Sequence, residues 1–404
     1  MRSTSCEAVA RELLERCLAG APPKRLPRIL VEEPCTRALF GIFVEGLADR
    51  FEPALCDAYA RLFSQAIALH SEGQNESHDP AALVARYDRV RAPRPVLRDP
   101  ERVLVLSRVT LGADVAVTSV LLSAAKLRFP SAEILFAAPR KNFELFAADP
   151  RLTHAPLEYR RGSLSQRLAV WEDLKLLAAD PHTLVLDPDS RLTQLGLLPI
   201  CEESRYHLFE SRRYGGVSAA ALPELAALWC QETLGVAGAA PYVAPAPPPA
   251  GTPAAHSAPY IAISLGVGEN PAKRVADPFE TELLALLSAR APLVIDKGAG
   301  GEEAARVERA VAASKARATF WEGSFAGFAR IIQGASLYAG YDSAGQHVAA
   351  ASGVPLVTIF AGFPAPRMFQ RWRPLSPLAH VIRVDQPDPL EILAKTAQVL
   401  AKIP

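Results

Sequence analysis

The stretch Val103-Leu-Val-Leu-Ser-Arg-Val-Thr-Leu-Gly-Ala-Asp114 decides the fold class of this chain. Its first four residues are all apolar, which predicts a short strand buried on both faces, as in a parallel sheet. A loop follows over 107–113, then a helix from about Asp114 to Arg128, and Ala132–Ala137 supplies the next strand. This order of strand, helix and strand predicts a right-handed βαβ crossover and therefore an α/β fold.

The same alternation continues on both sides of a proline-rich segment. In the first half, Leu184–Leu186 is a further buried strand. In the second half, helices alternate with five predicted strands: Tyr260–Ser264, Leu293–Ile295, Thr319–Trp321, Leu337–Gly340 and Leu356–Phe360. Residues 236–259 are rich in Ala and Pro and almost without charge. They predict a semi-extended linker between two α/β halves.

The residues ahead of Val103 have helical periodicity instead. Apolar residues recur three or four positions apart, as in Leu55, Tyr59 and Leu62. Ligands bind beyond the carboxyl ends of parallel strands, so two facing α/β domains are expected to hold a site in the cleft between them. The predicted segments are a helical N-terminal domain (1–95), a Rossmann-like domain (100–235), a linker (236–259), a second Rossmann-like domain (260–385) and a C-terminal closing helix (386–404).

The composition excludes several classes of function. The 404 residues carry a formal net charge of +1, so the overall charge does not attract nucleic acid. The six cysteines form no CxxC pair and no cluster with histidine, which predicts reduced thiols in a cytoplasmic protein. No stretch approaches the roughly 18 uncharged apolar residues of a membrane helix, and residues 1–17 lack the apolar core of a secretion signal. We expect a soluble protein without a transmembrane segment.

Two candidate sites follow strands of the first half. Asp114 lies where a loop opens a helix, so its carboxylate is suited to take a proton from a hydroxyl as a general base. A helix-capping aspartate is the alternative, and it is common at this position. Asp187-Pro-Asp189 follows the strand at 184–186 and has the form of a DxD pair that chelates a divalent ion. Because no third ligand is visible, a capped turn is the favoured interpretation and no metal is predicted.

Three more candidates follow strands of the second half. In Asp342-Ser-Ala-Gly-Gln-His347 small residues open a helix whose N-terminus suits a diphosphate, unless the motif is only a cap on a tightly packed helix. Lys273 and Arg274 lie on a glycine-containing loop and either neutralise a leaving diphosphate or are solvated charges. Glu302 and Glu303 follow a glycine run that is neither GxGxxG nor a Walker loop. These glutamates either accept a hydrogen bond from a ribose hydroxyl or stabilise the helix by interacting with its dipole.

Together these motifs resemble the family 9 glycosyltransferases, the group of the ADP-heptose:lipopolysaccharide heptosyltransferases, which have the GT-B fold of two facing Rossmann-like domains. The family's opening strand, Arg, Leu-Gly-Asp turn and helix are similar to 103–118. Its Asp-Ser/Thr-Gly-Pro-x-His run, Ala-rich helix and Gly-Val-Pro are similar to 342–360, and its lysine in a small-residue turn is similar to Lys273. The resemblance covers about residues 100–400. Ala113 and the pair Ala344-Gly345 depart from the family pattern.

The resemblance implies a role for each candidate residue. Asp114 would be the catalytic base, in an acceptor-side domain over 100–235. The diphosphate of the donor would lie in a nucleotide-sugar-binding domain over 260–385. The implied donor-binding residues are Lys273, Arg274, Glu302, Glu303, Asp342, Ser343, Ala344, Gly345 and His347, and the implied acceptor-side residues are Arg108, Thr110, Gly112, Asp187 and Asp189.

The resemblance further implies an inverting, metal-independent transfer of a heptose-like sugar. The donor would be a nucleoside-diphosphate sugar, ADP-linked by family, the acceptor a glycan or glycoconjugate hydroxyl, and no cofactor would be needed. The family context is bacterial cell-envelope or protein glycosylation, in the cytoplasm or peripherally at the inner face of the membrane. Two alternatives stay open: a GT-B-shaped binding or scaffold protein acting through its helical domain, and a nucleotide-sugar epimerase. Residues 1–95 are also expected to mediate self-association or to bind a protein partner.

Overall fold

The computed structural model describes residues 2–72, 78–247, 259–268, 270–298 and 300–403, with side chains from residue 5 onward. Eleven of the 24 residues of the predicted linker, 248–258, lie outside this described part. Contacts divide the chain into two compact units. The first unit comprises Met1–Thr110, Val120–Arg140 and Arg151–Ala239, and the second comprises Leu111–Ser119, Lys141–Pro150 and Ala240–Pro404.

Strands alternate with helices after an all-helical start, as the sequence predicts. The strands are β1 (Arg102–Leu106), β2 (Glu133–Ala138), β3 (Leu152–Pro156), β4 (Thr183–Asp187), β5 (Tyr206–Leu208), β6 (Ile261–Ser264), β7 (Leu293–Asp296), β8 (Ala318–Trp321), β9 (Leu337–Tyr341), β10 (Leu356–Phe360) and β11 (Ala379–Arg383). The helices are α1 (Arg2–Leu18), α2 (Thr36–Ala38), α3 (Glu45–Ala48), α4 (Pro53–Ser71), α5 (Pro80–Val90), α6 (Leu111–Ala113), α7 (Ser119–Arg128), α8 (Arg140–Phe143), α9 (Leu164–Leu168), α10 (Val170–Leu177), α11 (Leu222–Leu234), α12 (Phe279–Ser288), α13 (Gly301–Ser314), α14 (Phe325–Gly334), α15 (Ala344–Ala351), α16 (Pro366–Trp372) and α17 (Pro389–Leu400). Within this described part, no helix is long and apolar enough to cross a membrane.

The sheet of the first unit has the strand order β3-β2-β1-β4-β5, and all its pairs are parallel. β1 lies at its centre, with Val103 beside Ile134 of β2 on one side and Leu184 of β4 on the other. Val103 to Leu106 are completely buried, as the apolar run predicts. The strand order reverses between β1 and β4, so a switch point for ligand binding lies where these two strands end.

The N-terminal helices share a hydrophobic core with this first sheet. Phe43, Phe63 and Tyr87 of the helical region belong to the same buried cluster as Leu104 and Leu106 of β1. A cluster this continuous means that the apolar faces of the helices are covered from within the first unit.

One prediction about the cysteines is wrong: Cys6 and Cys35 form a disulfide. Cys6 lies on α1, which packs against a short 3-10 turn over Glu33–Cys35, and the two Cα atoms are 5.3 Å apart. This distance suits a disulfide, whereas a sequence separation of 29 gave no spacing signal. The other four cysteines are free thiols, as expected.

The sheet of the second unit has the order β11-β10-β9-β6-β7-β8, again with all pairs parallel. In chain order this is the arrangement 3-2-1-4-5-6 of a dinucleotide-binding α/β domain. The order reverses between β6 and β9, where Ser264 lies beside Gly340. The loops after β6 and β9 therefore flank the switch point of this sheet.

The helix after β1 begins earlier than predicted. It runs through α6, a π-helical segment over Asp114–Thr118, and α7, so it starts at Leu111. Asp114 thus lies one turn inside the helix, and the capping alternative is wrong. Contacts place Leu111–Ser119 in the second unit, where α6 packs against α15.

Three strands were not predicted, and each is an edge strand. β3 and β11 carry partly exposed residues, and β5 has only three residues. Edge strands are short and half-solvated, so they lack the continuous apolar run that identifies a central parallel strand.

Candidate active site

Residues at the carboxyl ends of β6 and β9 meet at the switch point of the second sheet. Lys273 follows β6 on a 3-10 turn over Pro271–Lys273, and Asp342 follows β9 directly. The Lys273 Nζ atom lies 2.7 Å from Asp342 Oδ2 and donates to the Asp342 backbone oxygen at 3.2 Å. The second unit therefore brings the predicted cation to the predicted helix-opening turn, at the edge where open parallel sheets bind ligands.

Small residues open α15 after Asp342, as predicted. Ser343 has an extended backbone, with φ of −155°, and Ala344 is the first helical residue. Gly345 packs so closely on the Tyr338 hydroxyl that a Cβ at position 345 would collide with it. The N–H groups of a first helical turn have no partner within the helix, and the helix dipole is positive at this end. This turn is therefore suited to bind a diphosphate.

His347 lies on the same helix and is buried. Its ring centroid is 5.9 Å from that of Trp372, and its Nε2 lies 3.4 Å from the amide nitrogen of Gln346. Burial lowers the pKa of His347 to about 4; the Asp342 carboxylate opposes this shift and the Lys273 charge adds to it. The imidazole is therefore neutral near pH 7, so it is suited to hydrogen-bond a ligand but not to supply a positive charge.

Arg274 follows Lys273, but acidic side chains engage its guanidinium. It pairs with Asp277, and its Nε lies 3.4 Å from Oε1 of Glu280. Glu280 is 1% exposed and also pairs with Arg306. Since a guanidinium held by carboxylates has fewer donors left for a phosphate, this geometry supports a structural role. The donor-binding role of Arg274 stays a prediction.

The two glutamates at the start of α13 have different surroundings. Glu302 is exposed and pairs with Arg309 at 2.6 Å. Glu303 lies against the backbone at the ends of β6 and β7. A Cβ built on Gly266 would lie 3.1 Å from Glu303 Oε1, and one built on Gly298 would collide with the same atom. Glu303 is therefore the glutamate that lies at the ligand-binding edge of the sheet.

A cavity of about 470 Å³ lies at the ends of β7 and β8. Gly298, which contacts Glu303, lines it together with Lys297. The Lys297 ammonium is 2.8 Å from a carboxylate oxygen of both Glu308 and Glu322, and these hydrogen bonds raise the pKa of Lys297 to about 12. The volume lies in the range of small-molecule sites, and a nucleoside is a ligand of suitable size.

The turn ahead of Asp114 packs against the opening of α15. A Cβ built on Gly112 would lie 3.2 Å from Ala344 Cα and 3.4 Å from His347 Cδ2. Only a residue without a side chain lets the two backbones approach so closely without a shift. The predicted base and the predicted diphosphate-binding turn are thus brought together within the second unit.

The Asp114 carboxylate is fully buried and oriented by two donors. Oδ1 accepts from Thr118 Oγ1 at 2.7 Å, and Oδ2 accepts from Asn142 Nδ2 at 2.6 Å. These bonds offset part of the cost of burying the group.

Asp187, in the first unit, is a fully buried turn residue. It accepts from the Ser190 backbone N–H at 2.7 Å and from the hydroxyls of Thr193 and Tyr206, each at 2.5 Å. Burial raises the pKa of Asp187, although these three hydrogen bonds oppose the shift. The Asp187 carboxylate oxygens thus accept hydrogen bonds that hold the turn, which supports the predicted capped turn.

Asp189 and the other acceptor-side candidates also lie in the first unit. Asp189 is buried and binds Arg212 Nε at 3.0 Å and Ser211 Oγ at 2.8 Å. Arg108 donates to the same Ser211 hydroxyl at 2.9 Å, whereas Thr110 is exposed. Over the residues that the structure describes, no group of three or more His, Cys, Asp or Glu side chains is arranged to hold a metal ion.

Sequence reasoning missed residues that hold the site in place. Asn142 binds the Asp114 carboxylate from α8, shortly after β2 ends. Asn270 and Gly362 hold the turn that carries Lys273. Each follows a strand end, so the rule that ligand sites form at carboxyl ends would have placed them on a list of candidates. Nothing in their type or spacing separates them from other loop residues.

Comparison with known proteins identifies a family that part of this chain resembles. Residues 246–397 match the profile of "Glycosyltransferase family 9 (heptosyltransferase)". This match covers 152 of the 404 residues, so it shows a likeness to family 9 for this part of the chain alone. No curated protein sequence shows a significant match to the chain.

Several solved structures share the fold of this chain. The family 9 glycosyl transferase of Veillonella parvula is 14% identical, with 77% of this chain and 92% of that chain covered and a TM-score of 0.52. The E. coli heptosyltransferase WaaC with ADP is 16% identical, with 75% and 100% covered and a TM-score of 0.53. E. coli ADP-heptose LPS heptosyltransferase II is 19% identical, with 74% and 99% covered and a TM-score of 0.50.

At these identities the likeness shows the fold alone. It confirms the predicted α/β fold of GT-B type, with two parallel sheets and a helical N-terminal region. The match to the family 9 profile confirms the predicted resemblance and, with this fold, the predicted class of enzyme, a glycosyltransferase.

Proposed function

We propose that this protein transfers a sugar from a nucleoside-diphosphate donor to a hydroxyl of a glycan or glycoconjugate, with inversion and without a metal ion. The observation that carries the proposal is the close packing of Gly112 on Ala344. Through this contact the turn that bears a carboxylate, Asp114, lies beside a helix opening suited to a diphosphate. The heptose-like, ADP-linked donor is proposed from the match to the family 9 profile and from the likeness to the E. coli heptosyltransferases.

The donor diphosphate would bind at the opening of α15, with Lys273 as its cation. Lys273 now pairs with Asp342 at 2.7 Å, so a diphosphate would compete for an ammonium already held at this place. The N–H groups after Ser343 would bind further oxygens of the leaving group. Glu303 would accept from a ribose hydroxyl beside the cavity at the ends of β7 and β8.

Asp114 would act as the general base in a single displacement. The acceptor hydroxyl gives its proton to the Asp114 carboxylate while its oxygen forms a bond to the anomeric carbon. The bond from that carbon to the diphosphate oxygen breaks in the same step, so the configuration inverts. The negative charge that develops on the leaving diphosphate is stabilised by Lys273 and by the helix opening.

The test is Asp114→Asn, assayed as ADP release from ADP-heptose with de-acylated lipopolysaccharide of a heptose-deficient strain as acceptor. We expect turnover to fall about 10²- to 10⁴-fold, while ADP binding changes less than about twofold. Thr118→Val is the matched control, because it removes one hydrogen bond to the carboxylate at 2.7 Å but keeps the base. Its turnover should fall only severalfold.

Two results would contradict parts of the proposal. Undiminished turnover in Asp114→Asn would remove Asp114 as the base. Failure of the wild-type protein to bind ADP, UDP or GDP in calorimetry would contradict the enzymatic proposal and favour the scaffold protein. The proposal places the protein in bacterial glycan assembly, in the cytoplasm or peripherally at the inner face of the membrane, with residues 1–95 available to a protein partner or a second copy.

A further inference from the structure

The loop after β10 contacts the turn that carries Lys273, backbone against backbone. Gly362 lies in this loop with φ of +68°. A Cβ built on Gly362 would lie 2.5 Å from the carbonyl carbon and oxygen of Ala272 and 2.7 Å from the Lys273 nitrogen. These are main-chain atoms, which cannot rotate away as a flexible side chain can. Any side chain at position 362 must therefore move one of the two loops.

Asn270 ties the same two loops together by hydrogen bonds. Its Oδ1 accepts from the Ala272 N–H at 3.1 Å, which caps the 3-10 turn ending at Lys273. Its Nδ2 donates to the Gly362 carbonyl oxygen at 3.2 Å. The backbone of Lys273 is thus held from one side by Asn270 and from the other by Gly362.

The position of this turn matters because Lys273 reaches across the switch point. Its ammonium lies 2.7 Å from Asp342 Oδ2, at the opening of α15. A methyl group at position 362 would have to move from 2.5 Å to an ordinary contact distance of at least 3.4 Å, a shift of roughly 1 Å that would move the ammonium relative to that opening. Anion binding by a point charge depends on such distances.

We propose that Gly362, with Asn270, is a positioning residue for the donor diphosphate, acting through the placement of Lys273. This inference rests on the proposed function, in which Lys273 binds that diphosphate. Neither residue contacts the ligand in this proposal; each acts only through the lysine.

The experiment compares Gly362→Ala with Gly353→Ala. Gly353 has the same φ of +68°, but nothing lies within 4 Å of a Cβ built on it. Both variants therefore carry the same backbone strain, and only Gly362→Ala adds the contact with the lysine turn. In calorimetry with ADP we expect the Kd to rise about tenfold in Gly362→Ala and less than about twofold in Gly353→Ala.

A second comparison separates positioning from general loosening of the fold. In a Lys273→Met background, Gly362→Ala should weaken ADP binding no further, because the group it positions is absent. Asn270→Ser keeps a side-chain oxygen for the cap but is too short to reach Gly362, so it should weaken ADP binding severalfold, again only when Lys273 is present. This second variant also serves if Gly362→Ala does not fold.

Each outcome is decisive. Equal losses in the Gly362 and Gly353 variants, or a full further loss in the Lys273→Met background, would overturn the positioning role while the proposed function stands. If the wild-type protein binds none of ADP, UDP and GDP, the proposed function fails, and the positioning role fails with it.

Discussion

Replacing either of two adjacent glutamates tests where the nucleoside of the donor binds. Glu303 lies against Gly266 and Gly298 at the strand ends, whereas Glu302 is exposed and pairs with Arg309. Both are in the first turn of α13, so Glu303→Gln and Glu302→Gln alter the interaction with the helix dipole to a similar extent. Any difference in nucleotide affinity between the two variants is therefore due to the contact that each glutamate makes with the nucleotide.

The expected change in the Kd for ADP follows from the strength of a hydrogen bond to a charged group. Such a bond contributes about 1.5–3 kcal/mol, which corresponds to roughly 10- to 100-fold in affinity. Glutamine retains an acceptor oxygen at this place, so the lower end applies. We expect Glu303→Gln to raise the Kd for ADP about tenfold and Glu302→Gln to change it less than about twofold.

Calorimetry with ADP, 2′-deoxy-ADP and 3′-deoxy-ADP is the assay. If Glu303 accepts from a ribose hydroxyl, one deoxy analogue binds the wild-type protein more weakly than ADP does. The Glu303→Gln variant should then discriminate between this analogue and ADP less than the wild-type protein does. The reasoning is refuted if Glu302→Gln weakens binding as much as Glu303→Gln, or if Glu303→Gln still discriminates fully against both deoxy analogues.

Two further predictions concern stability. Burial lowers the pKa of His347 and of His207 to about 4. Between pH 6.5 and pH 4 the unfolded chain therefore binds more protons than the folded one. The free energy of unfolding falls as the pH falls through this window. Urea unfolding should show that the free energy of unfolding is lower at pH 5 than at pH 7 by about 2 kcal/mol for each of the two histidines. His347→Gln should halve this combined difference. An unchanged pH dependence in the variant would contradict the assignment. The disulfide joins cysteines 29 positions apart in sequence, and its removal in the double variant Cys6→Ser/Cys35→Ser should lower the free energy of unfolding by about 3–4 kcal/mol. Dithiothreitol should reproduce this effect in the wild-type protein but not in the variant.

Much of the fold could be read from local patterns. Val103–Leu106, Leu337–Gly340 and Leu356–Phe360 are apolar throughout or nearly so, and the structure has central parallel strands at these places. Alternation of such strands with helices limits the topology to right-handed crossovers. The edge strands β3 and β11 could not be read, because a half-exposed strand of five residues has no periodicity that separates it from a loop, and β5 has only three residues.

The sequence could predict which residues are candidates for the site, but not how those residues are arranged in the folded chain. Asp114, Lys273 and the turn at Asp342 were selected because each follows a predicted strand and matches a motif. That Asp114 lies one turn inside its helix depends on where that helix begins, and sequence patterns define helix ends least well. That Glu303, not Glu302, reaches the strand ends depends on how α13 packs on the sheet.

The sequence by itself therefore determined the order of strands and helices, the presence of two α/β halves and the choice of candidate site residues, because these depend on side-chain type and on spacing along the chain. Only the tertiary structure decided which of those residues meet. The disulfide between Cys6 and Cys35, the contact of Gly112 with Ala344 and the packing of Gly362 on the lysine turn all join segments that are distant in sequence. Such contacts are set by the packing of whole elements, and no local pattern records them.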